Sequence, residues 1–148
     1  MKPGPTRRYH GAMEPREAAD DWDANAEVWT TLIQAGYDTY RDAVNTPAFF
    51  AGLPDVAGLC GLDIGCGEGH NTRLLARCDA RVTAIDIPEW FIEHARSAEA
   101  EEPLDIDCRL ADACDPPFKD EAFDFATAFM SLIDIPTPER AMFATVGK

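Results

Sequence analysis

The chain has 148 residues, of which 46% are hydrophobic, and it carries a formal net charge of −14 at neutral pH. This length and apolar content predict one hydrophobic core, and the strong negative charge disfavours nucleic acid as a substrate or partner. No apolar run is long enough to span a membrane, and residues 1–10 lack the apolar stretch of a signal peptide. We therefore expect no membrane partner. The basic side chains Lys2, Arg7 and Arg8 are expected to be solvated.

Cysteine and histidine usage argues against disulfides and metal binding. The cysteines are Cys60, Cys66, Cys78, Cys108 and Cys114. Five is an odd number, and the absence of a C-x-x-C pair is typical of a reducing compartment, so we expect a cytoplasmic protein. A metal site built from Cys60, Cys66 and His70 is the less favoured alternative, because the histidines are isolated and lack the spacing of zinc ligands.

The first third of the chain predicts a helical lead-in to a sheet. Asp20 or Asp21 can cap a helix that runs to about Val44. Apolar side chains recur along this helix at helical spacing and should form one face. They are Val28, Trp29, Leu32, Ile33, Tyr37, Tyr40 and Val44. Pro47 opens a short second helix, after which a linker leads into the sheet.

A strand, a glycine-rich turn and a helix start are predicted next. The strand passes directly into the segment Asp63-Ile-Gly65-Cys66-Gly67-Glu-Gly69. Glycines there let the main chain bend tightly and approach a nucleotide-like cofactor, which a Cβ atom would prevent. The dinucleotide fingerprint G-x-G-x-x-G would need a third glycine where His70 stands. The spacing D-x-G-x-G-x-G instead resembles motif I of the class I S-adenosylmethionine (SAM)-dependent methyltransferases.

Asp86 ends a second predicted strand, which begins at Arg81. An ionised carboxylate only accepts hydrogen bonds and can hold both hydroxyls of a ribose. In the family that the glycine turn resembles, the acidic residue at this strand end binds the ribose, and the resemblance gives that role to Asp86. The alternative is that Asp86 only caps the helix that starts near Pro88.

A third segment follows the pattern of the same family. Residues 104–110 alternate apolar and polar side chains, which predicts a strand with one face open to water. In the family, an acidic residue after this strand accepts a hydrogen bond from the adenine amino group, and neighbouring main chain touches the ring. The resemblance places these roles on Asp112 and Ala113, and a surface-turn role for Asp112 remains open.

The segment from Pro117 to Asp124 has the pattern P-F-x-D-x-x-F-D, which is a second signature of the family. It leads into an apolar stretch that predicts a strand covered by helices on both faces. Phe129, Met130 and Ser131 at its end should lie beside the cofactor, because ligands of open α/β sheets bind outside the carboxyl ends of the strands.

The lead-in also resembles that of a group of bacterial small-molecule methyltransferases, in residues 22–29 and 36–42. In such proteins the lead-in folds over the cofactor cleft and shapes the acceptor pocket. The resemblance therefore makes Trp29, Tyr37 and Arg41 the candidate acceptor-binding residues. For most of the apolar face, packing between helix and sheet is the favoured interpretation.

The resemblance implies an α/β fold with a Rossmann-like, doubly wound parallel sheet. We expect residues 1–57 to form the lead-in and residues 58–148 to form a SAM-binding half-domain with strands 1–4. The family orders seven strands 3-2-1-4-5-7-6, so an incomplete version of the fold is predicted. Strand 4 would then be a long apolar edge. A homodimer partner or another segment covers it, or the chain is a shortened form of a longer protein, which we favour.

The implied function is transfer of a methyl group from SAM to a small-molecule acceptor, with S-adenosylhomocysteine as the product. The chain is expected to bind SAM without efficient turnover. A non-catalytic SAM-binding or interaction module remains an alternative, and an NAD(P)-dependent oxidoreductase is less favoured. No catalytic residue is assigned, since Asp134 is either a general base or an exposed loop carboxylate. The predicted cofactor-binding residues are Asp63, Gly65, Cys66, Gly67, Gly69, Asp86, Ile87, Asp112, Ala113, Phe129, Met130 and Ser131.

Overall fold

The computed structural model describes residues 14–146, so the predicted basic cluster Lys2, Arg7 and Arg8 lies outside the described residues. The elements in chain order are α1 (Pro15–Gln34), a π-helical segment (Arg41–Asn45), α2 (Thr46–Gly52), β1 (Cys60–Ile64), α3 (His70–Arg77), β2 (Arg81–Asp86), α4 (Glu89–Glu101), β3 (Asp107–Leu110), β4 (Phe125–Thr127) and α5 (Pro138–Val146). Between residues 14 and 146, no helix combines the length and apolar character needed to cross a bilayer.

The four strands lie in one parallel sheet with the order β3-β2-β1-β4. Central β1 pairs with β2, where Ile64 lies opposite Ile85, and with β4. The start of the β1–β4 pair is reinforced by two hydrogen bonds. Cys60 N–H donates to Asp124 Oδ2 at 2.7 Å, and Asp124 N–H donates to the Cys60 carbonyl at 2.8 Å. The predicted α/β fold with a Rossmann-like parallel sheet is confirmed.

Helices cover both faces of the sheet. Ala84 and Ile85 are neighbours in β2, so their side chains point to opposite faces. On the face of Ala84, α4 packs Ile92 into the core, and on the face of Ile85, α5 packs Ala141 beside Leu62. All five of these side chains, from the sheet and from the two helices, are at most 1% exposed. Burial on both faces explains why β1 and β2 are rich in apolar residues.

The first helix begins and ends earlier than the sequence predicted. It starts at Pro15, with Glu14 as the N-cap and a hydrogen bond from Glu14 N–H to Glu17 at 3.3 Å, so neither Asp20 nor Asp21 is the cap. It ends at Gln34 because the next turn includes a glycine in the left-handed region, Gly36 with φ +80°. The prediction of one helix to Val44 was therefore wrong, and that part of the chain forms the π-helical segment.

The predicted apolar face of the lead-in is mostly exposed. Val28, Tyr37, Tyr40 and Val44 are between 48% and 76% exposed, whereas Ile33 is buried. A single helix would have kept these side chains on one face, but the bend after Gln34 turns the later ones away. Core packing was thus the wrong interpretation for most of this set. The short helix that Pro47 was predicted to open is present as α2.

The third and fourth strands are shorter than predicted. β3 begins at Asp107 rather than at residue 104, and β4 has only three residues. The chain leaves the sheet after β4 because Met130 adopts a left-handed conformation with φ +59° and Ser131 Oγ donates to the Ile64 carbonyl at 2.6 Å. The edge at β4 is therefore short, and the expectation of a long apolar edge strand was wrong.

Candidate functional site

A cavity of about 290 Å³ lies at the edge of the sheet where β1, β2 and β4 end. Its walls come from the glycine turn (residues 65–69), from the segment after β4 and from the lead-in. A position outside the carboxyl ends of parallel strands is where open α/β sheets bind their ligands. The cavity is therefore the candidate site.

The glycine turn is fixed to β2 by main-chain hydrogen bonds. Gly65 N–H and Cys66 N–H donate to the Ile85 carbonyl at 2.8 and 3.1 Å. Gly67 N–H donates to Asp86 Oδ2 at 2.7 Å. Because of these bonds, the turn and the acid at the end of β2 form one unit beside the cavity.

The three glycines of the turn have different reasons to be glycine, although all have positive φ angles. A Cβ on Gly65 would lie 2.3 Å from the Cβ of Ser131, so packing excludes any side chain there. A Cβ on Gly69 would lie 3.3 Å from the Cβ of Ala95 on α4. A Cβ on Gly67 would meet nothing within 4 Å, since this residue faces the cavity. Gly67 therefore leaves space for a ligand to reach the main chain.

Asp86 presents its carboxylate to the cavity. Besides the bond from Gly67, its Oδ1 accepts a hydrogen bond from Ile87 N–H at 2.8 Å. Burial raises the pKa of Asp86 to about 6, although both main-chain hydrogen bonds act to lower it. Helix α4 begins at Glu89 with Pro88 as its N-cap, and the Trp90 N–H of its first turn donates to Asp23 Oδ1 of α1 at 3.0 Å rather than to Asp86. The geometry thus gives no support to the alternative that Asp86 caps this helix.

Asp63 forms the floor of the site. Its carboxylate is 3% exposed and accepts hydrogen bonds from Thr72 Oγ1 at 2.6 Å and from Thr127 Oγ1 at 2.9 Å. Burial raises the pKa of Asp63, and the two threonine hydrogen bonds oppose that change. Asp63 therefore joins β1, α3 and β4 below the glycine turn.

The segment after β4 forms a further wall of the cavity. Phe129, Met130 and Ser131 all line it, as the sequence predicted for this strand end. Phe129 is held by Phe49 of α2, with the ring centroids 5.3 Å apart and the rings nearly perpendicular. Asp134 also lines the cavity, where it is an exposed residue in the turn after β4, and partial desolvation raises the pKa of its carboxyl group.

The lead-in contributes two of its three predicted residues, Trp29 and Arg41. The Arg41 guanidinium is already engaged, since its Nε donates to Asp42 at 2.9 Å and its Nη1 donates to Glu68 at 3.1 Å. The bond to Glu68 ties the π-helical segment to the glycine turn. Tyr37 is 76% exposed and does not line the cavity.

Three of the predicted cofactor ligands lie outside the cavity lining. Gly69 packs on α4 as described above. Asp112 Oδ1 accepts a hydrogen bond from Cys114 N–H at 2.8 Å, and Ala113 is buried in the core. Neither Asp112 nor Ala113 borders the cavity. The adenine-binding roles that the resemblance gave them stay predictions.

Several lining residues were not singled out from the sequence. Trp22 is the most notable, since its ring lies edge-on to Trp29 with centroids 6.0 Å apart, and 6.0 Å from that of Phe91. Two helical turns separate Trp22 from Trp29, so helical spacing was a usable signal. Phe91 reaches the cavity through the packing of α4, which no local pattern reveals. Glu68 was also missed, because its role depends on Arg41.

Fold and site together define a Rossmann-like cofactor-binding protein, with a glycine turn after the first strand and an acid after the second. Residues 62–144 match the family described as methyltransferase domain, which covers more than half of the chain. The chain belongs to this family, the class I SAM-dependent methyltransferases, and SAM is the cofactor that the family implies.

Relatives and solved structures agree with this assignment. The chain is 33% identical over 138 residues to 27-O-demethylrifamycin SV methyltransferase of Amycolatopsis mediterranei, covering 82% of this chain and 50% of that protein. The structure of phosphoethanolamine N-methyltransferase 1 of Haemonchus contortus with phosphoethanolamine and S-adenosylhomocysteine is 25% identical, with a TM-score of 0.63 over 81% of this chain and 27% of that one.

The structure of the 4+2 cyclase SpnF has a TM-score of 0.81 at 22% identity, over 92% of this chain and 56% of that one. At this identity the likeness concerns the fold alone. The chain spans about half the length of the rifamycin methyltransferase and of SpnF.

Proposed function

We propose that this protein is a SAM-dependent methyltransferase acting on a small-molecule acceptor, and that the cavity holds both compounds. One observation carries the proposal, namely that Gly67 N–H and the Asp86 carboxylate meet at 2.7 Å where two adjacent strands end in an open cavity. An open main chain next to a carboxylate suits a nucleoside that has neighbouring hydroxyl groups.

The residues present fit SAM. The open space at Gly67 lets a ligand approach the turn, and Asp86 can exchange a main-chain hydrogen bond for ribose hydroxyls. The N-terminus of α3, which begins at His70, is suited to the carboxylate of an amino-acid tail. We keep Asp112 and Ala113 as the proposed adenine contacts, at the end of β3 next to β2.

When bound, SAM supplies an activated methyl group on a sulfonium. The protein's own residues then mainly have to align the two ligands, which can lower a barrier by several kcal/mol. We infer that Met130 and Ser131 border the sulfur side and that Trp29 helps to exclude water. Asp134 is the proposed site for a proton released by the acceptor, because its carboxylate lines the cavity and partial burial raises its pKa.

The proposal extends to the compartment, the partner at the β4 edge and the expected activity. Five free thiols support a reducing, cytoplasmic compartment. A second copy or another segment that covers the β4 edge remains part of the proposal, since β4 pairs on one side only within the described residues. We infer weak SAM affinity and little turnover for the 148-residue chain. Sub-micromolar binding with robust methyl transfer by a monomer would contradict this inference.

Calorimetric titration with SAM tests the cofactor site. Asp86→Ala should weaken binding at least tenfold, because the ribose loses its charged acceptor. Asp105→Ala removes the same charge from an exposed position away from the cavity and should leave the affinity unchanged. Equal affinities for wild type and Asp86→Ala would remove the ribose assignment. A thermal shift with NADH larger than that with SAM would favour the oxidoreductase alternative.

A further inference from the structure

The cavity beyond the glycine turn is walled by aromatic rings. Trp22 and Trp29 pack edge to face at an interplanar angle of 78°, with Phe91 next to Trp22. Phe129 lines the side after β4, with Phe49 behind it. Rings fixed in this way offer apolar faces and edges on which a planar ligand can stack. The walls therefore favour a ring compound.

Two carboxylates that line the same cavity lack a cationic partner among residues 14–146. Asp38 Oδ1 accepts only a main-chain bond from Arg41 at 2.9 Å, and the Asp134 carboxylate has no hydrogen bond or ion pair there. Arg41 is the one arginine or lysine of the described chain that lines the cavity, and Asp42 and Glu68 already neutralise it. The lining of the cavity thus carries negative charge that no described lysine or arginine compensates.

This charge selects among possible acceptors. An anionic compound would meet two carboxylates, which costs binding energy in a partly desolvated site. A cation would meet those carboxylates and also the electron-rich faces of the tryptophans, which attract cations. Partial burial disfavours the charged form of Asp134 in the free protein and raises its pKa, and a ligand cation would reverse that effect.

We propose that the cavity takes as its acceptor an aromatic compound that bears a protonated amine. The ring lies against Trp22 and Trp29, and the ammonium group lies toward Asp134 and Asp38. This inference rests on the proposed function, since it names the class of the second ligand of the same site.

Three indole compounds that differ only in the end group of a short side chain test the inference. They are tryptamine (cationic), tryptophol (neutral) and indole-3-propionate (anionic). Each is titrated calorimetrically into the 148-residue chain, with and without saturating S-adenosylhomocysteine. Tryptamine should bind about fivefold more tightly than tryptophol, as expected for one partly exposed ion pair with a cation–π contribution, and indole-3-propionate should bind most weakly.

A matched pair of variants locates the effect. Asp134→Asn should reduce the preference for tryptamine over tryptophol about threefold. Asp105→Asn makes the same charge change at an exposed position outside the cavity lining and should leave that preference intact. Both changes keep the size of the side chain, so both proteins should fold. Trp29→Leu should weaken all three compounds together, because it removes a stacking surface.

Any of four results would overturn the inference. Tryptamine and tryptophol bind equally well, indole-3-propionate binds more tightly than either, no probe binds measurably, or the two aspartate variants have equal effects. The S-adenosylhomocysteine titration reports on the proposed function separately. If this product binds but the probes do not rank by charge, only the acceptor class is wrong. If it does not bind, the methyltransferase proposal fails whatever the ranking of the indoles.

Discussion

The sheet and the lead-in border the same cavity, but they are held in place in different ways. Around the sheet, Leu62 and Ile85 are almost fully buried, and the buried Asp63 has hydrogen bonds to both of its oxygens. In the lead-in, Val28 and Leu32 of α1 are 64% and 44% exposed. Buried apolar area is the main source of stability, so the sheet should be the more stable region.

Besides the aromatic contacts of Trp22 and Phe49 described above, polar contacts at a few points connect the lead-in to the rest of the protein. Asp23 Oδ1 accepts a hydrogen bond from Trp90 N–H at 3.0 Å, and Gln34 lies 3.3 Å from the His94 ring. Arg41 reaches Glu68 of the glycine turn. The wall of the cavity formed by the glycine turn is therefore built into the fold, whereas the wall formed by the lead-in belongs to a segment that can open at lower cost.

The largest effect is expected where the glycine turn packs directly against the segment after β4. Gly65→Ala should lower the free energy of unfolding by about 3–5 kcal/mol, because the new Cβ overlaps Ser131 and the backbone is left-handed. Gly58→Ala is the control, since Gly58 has φ +74° but open space around it, and it should cost only about 1 kcal/mol. Urea denaturation measures both. Similar losses for the two variants would show that packing against Ser131 does not matter.

A smaller effect, seen as a dependence of stability on pH, is expected at Asp86. Its pKa is raised from the ordinary value of 3.8 to about 6, chiefly by burial and further by the charges of Asp63 and Asp23. The proton on Asp86 therefore stabilises the folded protein at low pH, and this contribution is lost as the pH rises through about 6. Asp86→Asn removes the charge, but it also turns an NH2 group toward one of the two main-chain N–H donors, Gly67 or Ile87. The free energy of unfolding of the variant, relative to that of the wild type, should therefore be about 1–2 kcal/mol more favourable at pH 7.5 than at pH 4.

The pH dependence checks that assignment. At pH 4 the wild-type carboxyl group is largely protonated, so the variant has no advantage from the lost charge there, and denaturant unfolding of both proteins at the two pH values measures the difference. Asp105→Asn serves as the control with the same change in net charge. The same difference between variant and wild type at both pH values would mean that burial does not raise the pKa of Asp86.

The smallest global effect should come from the lead-in. Glu68→Gln breaks the ion pair between Glu68 (13% exposed) and Arg41 (14% exposed). The change should lower the free energy of unfolding by about 1 kcal/mol or less. Hydrogen exchange should nevertheless speed up severalfold in the last turn of α1 and in the π-helical segment, and not in β1 or β2. Arg77→Gln, which breaks an exposed pair with Glu102, should leave exchange in the lead-in unchanged. Faster exchange in the sheet would contradict the difference between the two regions.

The same contrast decides what the sequence could predict. The positions of the glycine turn and Asp86 beside the cavity could be predicted because local spacing fixes each glycine and the acid relative to the strand ends. The end of α1 was missed because the bend at Gly36 overrides an apolar repeat that continues to Val44. The short length of β4 was missed because the hydrogen bond from Ser131 to Ile64 joins residues that are 67 positions apart.

The pairing of central β1 with β4 also has a consequence for biosynthesis. Cys60 and Asp124, which meet at the start of this pair, are 64 residues apart, so closing that loop is slow compared with forming local helices. During translation, β1 emerges long before its second neighbour exists. The main-chain N–H and C=O groups on one edge of the central strand are therefore unpaired during this time. A chaperone or another nascent chain can bind to them before β4 pairs with β1.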